Sequence, residues 1–183
     1  MFIEIKNRDT NEVIIRGEYD SLIQAVEKNK YKLKNADLNG MHLINVDCIN
    51  GNLQGADLRE TCLRGSDFRN CNMQSVNLRG CDARDSNFDG VDLQGATVRG
   101  ATIRESIFGD ANMRGCDCQG TDFYDCDMSG ANCRGCNFNG AELRKVNFRN
   151  ACLLGAQLKN ANLEGVILDG ANVKGTLLEK KEV

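Results

Sequence analysis

The dominant feature of the sequence is a five-residue unit that repeats in one frame from Ala36 to about Leu178. The unit Ala36-Asp37-Leu38-Asn39-Gly40 sets the pattern. The first residue of each unit is small, the second is mostly Asp or Asn, and the third is apolar at nearly every step. Every phenylalanine after Phe2 occupies the third position, which we call the central position. A short internal period of this kind is typical of solenoid proteins, in which each repeat packs only on its neighbours.

The length of the unit excludes straight secondary structure. Side chains of a flat strand alternate between two faces, so an odd repeat would turn successive central residues to opposite sides. In an α-helix, five residues rotate by about 140° beyond a full turn, which would spread the central residues around the cylinder. The chain must therefore bend at every unit, so that the first and central residues point toward one axis. Gly, Asn and Asp near the end of the unit suit this bend because they tolerate turn conformations.

The phenylalanine spacing indicates how many units complete one coil. Four units per coil stack residues twenty apart, and one column then becomes almost wholly aromatic: Phe68, Phe88, Phe108, Met128 and Phe148. Phe108, Phe123 and Phe138 are fifteen apart, so counting alone leaves three units per coil open. The longer column favours four units per coil.

The pattern of a small residue, Asp or Asn, Leu or Phe, and two variable residues resembles the pentapeptide repeat family. The match covers roughly Ala36 to Leu178. The resemblance implies an all-β fold, a right-handed quadrilateral β-helix with four repeats per coil and the central residues inside. It also implies about seven coils, which at ~4.8 Å per stacked strand give a rod roughly 35 Å long.

The first thirty residues do not follow the repeat and predict a cap for one end of the solenoid. Residues 2–6 and 12–16 are rich in Ile and Val and flank a polar turn, which favours a β-hairpin. Ser21 and Gln24 match a capping box that opens a short helix through about Lys28. We therefore divide the chain into residues 1–30, a hairpin with a capping helix, and residues 31–183, the β-helix.

The opposite end shows no comparable cap. After Leu177 and Leu178 only Glu179 and residues 180–183 remain. An uncovered solenoid end exposes backbone and core, which favours docking against another chain. We therefore predict a homodimer through the C-terminal coils, with Leu177 and Leu178 at its edge.

The reactive residue types are explained by the repeat. Eight of the ten cysteines fall at first or central positions, where a thiol behaves as a small apolar group. Cys133 and Cys136 have the spacing of a zinc or redox pair, but the only histidine, His42, lies several coils away. Cys62 and Cys152 fall at the outward second position and are the better candidates for reactive thiols. We predict no catalytic residues, no metal site and no cofactor, and hence no enzyme.

Composition narrows the choice of location and partner. The N-terminus lacks the charged head and apolar stretch of a signal peptide, and no apolar run is long enough to cross a bilayer. We therefore expect a cytoplasmic protein with reduced thiols and no membrane partner. The net charge of −3 argues against direct binding of nucleic acid.

The fourth and fifth positions of one set of repeats predict the binding surface. With four units per coil, the fourth positions align one column and the next residues align a second, acidic one. We call the combined set the charged ridge: Arg64, Arg84, Arg104, Arg144, Tyr124, Asp85, Glu105 and Asp125. Opposite charges in exposed columns also serve solubility, because they neutralise one another at ~5 Å spacing. The alternative role is recognition of an elongated, charged partner surface.

Two functions follow from these features. The first is a non-enzymatic protein-binding scaffold with an unknown partner. The second is implied by the family resemblance: some pentapeptide repeat proteins mimic duplex DNA, bind type II topoisomerases such as gyrase and protect them from quinolones. The nearly balanced charge and the arginine columns of this chain depart from that pattern, so the protein-binding scaffold is our first hypothesis.

Overall fold

The structure is a computed structural model that describes residues 1–179. From Asp37 onward, each second-position residue bridges in parallel to the residue twenty positions later, beginning with Asp37 to Asp57 and ending with Cys152 to Asn172. One coil therefore contains four repeats, and the arrangement with three repeats is excluded. The predicted right-handed quadrilateral β-helix is confirmed. We number its four walls 1 to 4 in chain order, starting from residues 36–40.

The central residues form the interior of the rod. Leu38, Leu58 and Phe138 are 0% exposed. In the aromatic column of wall 3, the rings of Phe68 and Phe88 stack with centroids 5.2 Å apart, and those of Phe88 and Phe108 stack at 4.7 Å. Phe88 and Phe108 are 1% exposed or less, so the column is part of the core and not of the surface.

The first position of each repeat is also buried, and polar side chains there are satisfied by backbone carbonyls. The Ser66 hydroxyl donates to the Leu43 carbonyl oxygen at 2.9 Å, and the Cys116 thiol donates to that of Leu93 at the same distance. Both acceptors lie 23 residues earlier, on the preceding coil. A buried donor needs such a partner, and the fold supplies one in each coil. Cysteine thus takes the structural role that serine has in other repeats.

Each repeat ends in a turn whose fifth residue has a left-handed conformation. The φ angle is +67° at Gly65 and +59° at Asp85, its neighbour in the same column. Glycine adopts this conformation without strain, whereas a side chain there costs energy. The chain nevertheless carries acidic residues at several of these positions.

The N-terminal cap consists of a hairpin and two short helical segments. Strand β1 covers Phe2–Lys6, strand β2 covers Val13–Glu18, and helix α1 covers Leu22–Lys28. A single 3-10 turn, Lys30–Lys32, leads into the first coil. Ser21 caps α1 by accepting a hydrogen bond from the Gln24 amide at 3.1 Å, as the sequence predicts.

The second strand is shifted relative to the prediction of residues 12–16. An irregularity between Ile5 and Lys6 pairs Lys6 with Val13, so the ladder begins one residue later than expected. Gly17 and Glu18 continue the ladder because Ile3 and Phe2 are still available as partners.

The cap is joined to the solenoid by backbone and core contacts. The Asp37 amide donates to the Lys6 carbonyl oxygen at 2.8 Å, which extends the hairpin onto the first coil. Ala25 and Val26 of α1 are 0% exposed and belong to the same core as the central residues. Leu22 and Ile23 are only partly buried against it.

The C-terminal end of the described chain is less enclosed. Leu158 is 3% exposed, whereas Leu163, Leu168 and Val173 in the last coil are only partly buried. The predicted absence of a C-terminal cap rests on residues 180–183, which lie outside the described residues. Within the described part of the chain, no helix has the length and apolar character needed to cross a membrane.

Candidate protein-binding surface

The fold brings the whole charged ridge onto wall 2. Its arginines occupy the fourth position of successive coils, and its acidic residues occupy the fifth position beside them. The side chains of Arg64, Arg84 and Arg104 are 48%, 42% and 52% exposed. The ridge is therefore accessible along most of the rod.

Three of the four arginines of the ridge pair with carboxylates of the second position. Arg84 Nη2 lies 2.8 Å from Asp82 Oδ2, and Arg64 Nε lies 3.3 Å from the same oxygen. Arg104 Nε donates to Asp122 Oδ2 at 2.6 Å. Hydrogen bonding to Arg84 holds the pKa of Asp82 below its ordinary value, against the opposing effect of partial burial. Sequence reasoning missed Asp82 and Asp122, although their column could have been read from the twenty-residue spacing.

The acidic residues of the ridge have a different environment. Among the described residues, Asp85, Glu105 and Asp125 form no ion pair within 4 Å, even though each directly follows a fourth-position residue of the ridge. Their φ angles of +59°, +57° and +57° belong to the left-handed region. The ridge thus presents an unpaired acidic column beside an arginine column in which three of the four arginines are already paired within the chain.

Tyr124 adds an aromatic group to the arginine column, between Arg104 and Arg144. The Arg144 guanidinium lies 4.9 Å from the centre of the Tyr124 ring, within the range of a cation–π contact. Lys145 Nζ donates to the Tyr124 hydroxyl oxygen at 3.0 Å, and this hydrogen bond raises the pKa of Lys145. Lys145 was not predicted as part of the site, although it follows Arg144 directly. Tyr124 and these two cations form an amphipathic end to the ridge.

Wall 3 carries an acidic concavity that sequence reasoning also missed. An open depression of about 340 Å³ is lined by Asp89, Asp110 and Asp127 around Gly109. Ile107 lies at its edge and is 43% exposed. The sequence signal for this acidic concavity is weak, because the three carboxylates come from three different positions of the repeat.

The predicted dimer edge lies at a second concavity. An open depression of about 560 Å³ at the C-terminal end is lined by Leu168, Val173 and Leu178 among others. Leu177 is 61% exposed, whereas Leu178 is partly buried against the core. These residues place an apolar surface at the C-terminal end of the described part of the rod.

The cysteines lie where the repeat predicts. Eight are buried, and Cys62 and Cys152 are partly exposed. Burial raises the pKa of the Cys71, Cys81 and Cys126 thiols to about 12, so these groups stay protonated at neutral pH. Across residues 1–179, no group of three or more His, Cys, Asp or Glu side chains is arranged to hold a metal ion.

Several solved structures are similar to this chain. A pentapeptide repeat protein of the Arabidopsis thaliana thylakoid lumen is 24% identical over 58% of this chain and 70% of its own, with a TM-score of 0.47. Full-length QnrB1, a plasmid-mediated fluoroquinolone resistance protein, is 17% identical over 76% of this chain and 85% of its own, with a TM-score of 0.43. Rfr23 from the cyanobacterium Cyanothece 51142 is 20% identical over 78% and 91% of the two chains, with a TM-score of 0.36.

Comparison with family profiles covers most of the chain. A pentapeptide repeat region profile matches residues 22–98. The profile for pentapeptide repeats matches overlapping segments at 92–130, 106–144, 126–165 and 141–179. A search of curated proteins gives no match. The two profiles together cover residues 22–179, and the chain belongs to the pentapeptide repeat family.

Proposed function

We propose that this chain is a non-enzymatic protein-binding scaffold that recognises its partner through the charged ridge of wall 2. The observation that supports this most is the unpaired acidic column of Asp85, Glu105 and Asp125 beside the exposed arginine column. Three carboxylates held at ~4.8 Å intervals repel one another, and a cationic partner surface would relieve that repulsion.

The rigidity of the wall supports the same role. Each coil is tied to the next by backbone hydrogen bonds, for example from the Asp85 amide to the Arg104 carbonyl oxygen at 3.1 Å. The ridge side chains therefore sit on a backbone that loses little freedom on binding, which reduces the entropic cost of association. Tyr124, with its ring against Arg144, supplies the kind of rigid aromatic anchor that often dominates binding energy.

A pull-down with two matched double variants tests the scaffold. Asp85→Asn/Glu105→Gln removes two unpaired carboxylates from the ridge, and the wall 1 variant Asp37→Asn/Glu60→Gln removes two from another wall. Both variants remove two negative charges from exposed positions. We expect specific proteins to be retained by the unaltered chain and by the wall 1 variant but lost by the ridge variant. Equal retention by all three proteins would contradict a binding role for the ridge.

The acidic concavity of wall 3 favours one alternative, a gyrase modulator that mimics DNA. Asp89, Asp110 and Asp127 provide closely spaced negative charge on one face. A supercoiling assay with gyrase, with and without a quinolone, separates this alternative from the scaffold. Loss of drug inhibition on adding the protein, reversed by Asp89→Asn/Asp110→Asn, would support it. An unchanged reaction in both conditions would end it.

We also propose that the C-terminal coils pair two copies of the chain. The partly exposed Leu168 and Val173 and the exposed Leu177 support this contact, because burying them removes apolar area from water. Analytical ultracentrifugation should give a dimer for the unaltered chain and a monomer for Leu177→Asp/Leu178→Asp. Ile44→Asp, which changes an exposed apolar residue near the other end, should leave the dimer intact. A monomer of the unaltered chain at high concentration would refute the contact.

The thiols support a cytosolic location. All ten cysteines are free, and most are buried as core groups. Chains that keep this many reduced thiols are typical of reducing compartments. Fractionation of the source cell would test the location.

A further inference from the structure

Cations flank wall 1 on both sides from the third coil onward. Arg79, Arg99 and Lys159 occupy fourth positions at the end of wall 1. Arg114 and Arg134 occupy fourth positions at the end of wall 4, directly before wall 1 of the next coil. All five residues are exposed. We call these five residues, together with the second-position residues of wall 1 between them, the basic face.

The cations of the basic face have almost no anionic partner in the chain itself. Among the described residues, the only ion pair on this face joins Arg99 Nη1 to Asp117 Oδ2 at 3.6 Å. Asp117 also accepts a hydrogen bond from Asn137 Nδ2 at 3.1 Å, so its carboxylate is engaged on both oxygens. The other second-position residues between the cations are neutral: Asn77, Thr97, Asn137 and Gln157. The face therefore has a net charge of +4 in a chain whose net charge is −3.

The turns that carry these cations leave room for a ligand. Gly100, Gly115 and Gly135 directly follow three of the cations, whereas an acidic residue follows Arg84 on the charged ridge. A Cβ atom placed on any of these three glycines would meet no atom within 4 Å beyond the adjacent residues. The space beside the guanidinium groups is therefore open to the main chain of a bound molecule.

Backbone hydrogen bonds fix the spacing of the cations along the rod. The Gly80 amide donates to the Arg99 carbonyl oxygen at 3.0 Å, and the Gly115 amide donates to that of Arg134 at the same distance. Successive cations of one column are thus one coil apart, and Lys159 lies four coil steps beyond Arg79, or ~19 Å at ~4.8 Å per step. An extended polypeptide rises ~3.3 Å per residue, so about six residues cover this length.

We propose that the basic face binds an extended acidic segment of a partner protein, about six residues long and lying along the axis of the rod. Its carboxylates would pair with Arg79, Arg114 and Arg134, because a guanidinium binds a carboxylate through two parallel hydrogen bonds. The rigid backbone beneath these arginines reduces the entropic cost of binding. The basic face and the charged ridge lie on different walls and have opposite unpaired charges, so this inference does not depend on the proposed function.

An acidic polypeptide suits this face better than a nucleic acid does. Proteins bind single-stranded nucleic acids through aromatic stacking as well as charge, and the basic face contains no aromatic residue. The net charge of −3 also repels a long polyanion. A short acidic segment meets mainly the local charge of the face, because exposed charges more than ~8 Å away are screened at physiological ionic strength.

The test uses a fluorescently labelled peptide of six glutamates, with its dissociation constant measured by fluorescence anisotropy at low ionic strength. Arg114→Gln/Arg134→Gln should weaken binding about tenfold, because each exposed ion pair contributes up to about fivefold in affinity. Arg69→Gln/Arg149→Gln is the matched control, because it removes the same charge from arginines that are 46% and 52% exposed and already paired with carboxylates of wall 3. The control should change the dissociation constant by about twofold or less.

A second measurement uses the unaltered protein and so does not depend on how any variant folds. A carbodiimide joins carboxylates of the bound peptide to nearby lysines, and mass spectrometry then locates the cross-links. Lys159 of the basic face should be cross-linked in preference to Lys28, which is exposed at the end of α1.

Three results would overturn the proposal. One is that the two double variants weaken peptide binding equally, and another is that Lys28 is cross-linked as readily as Lys159. The third is tighter binding of a single-stranded oligothymidylate with six phosphates, which would replace the acidic polypeptide by a nucleic acid as the ligand of this face.

Discussion

Replacing Phe108 by alanine tests whether the aromatic column holds the rod together. Phe108 is 1% exposed, its ring stacks on Phe88 at 4.7 Å, and it meets Phe123 edge to face at 6.0 Å. Removing a buried phenylalanine costs about 3–5 kcal/mol, because apolar burial is lost and a cavity remains. Aromatic pairs contribute about 0.5–1.5 kcal/mol each beyond their area, so we expect the upper half of that range.

The measurement is denaturant unfolding followed by circular dichroism, with Phe2→Ala as the control of matched size. Phe2 is 64% exposed on the hairpin, so its loss should cost under about 1 kcal/mol. Because coils contact only their neighbours, Phe108→Ala should also weaken the middle of the rod more than its ends. Hydrogen exchange should show this as faster exchange at the amides of residues 88 and 108. A cost for Phe108→Ala no greater than that for Phe2→Ala would show that the central residues are not the core.

Three further predictions concern the charged ridge and the carboxylates that pair with its arginines. Arg104→Ala should change the unfolding free energy by under about 1 kcal/mol in the same assay, because the arginine side chain is 52% exposed despite its 2.6 Å contact with Asp122. A larger loss would show that this ion pair stabilises the fold. Glu105→Gly should raise the unfolding free energy by about 0.5–1 kcal/mol, because glycine adopts the φ of +57° at this position without strain. A decrease in the unfolding free energy would show that the Glu105 side chain makes a stabilising contact. The pKa of Asp82 is lowered in the folded state, so its ionised carboxylate stabilises the fold above the ordinary carboxyl pKa of about 3.9. This contribution to stability is lost as the pH falls below that value and the carboxylate becomes protonated. Thermal melts from pH 5 to pH 2 should therefore fall less steeply for Asp82→Asn than for the unaltered chain, and parallel curves would contradict this assignment.

The repeat determined most of the fold without any tertiary information. Since one five-residue frame runs from Ala36 onward, the sequence fixes which residues point inward, and the phenylalanine column at a spacing of twenty favours four repeats per coil. The Ser21 and Gln24 cap was likewise predictable, because it depends on residues three apart in one segment. These features depend on residues close together in the sequence, or on a short pattern that is repeated. In a regular solenoid, the same local structure recurs in every coil.

Side-chain pairing was decided only by the tertiary structure. Arg84 pairs with Asp82 in its own repeat, whereas Arg104 pairs with Asp122 on the next coil, although both have the same position in the unit. Their adjacent residues Asp85 and Glu105 take part in neither pair. The repeat places several carboxylates within reach of each guanidinium, and side-chain torsions and turn geometry then select one partner. On an exposed surface, the alternative ion pairs differ in free energy by about 1 kcal/mol or less, and so small a difference cannot be predicted from the residue pattern.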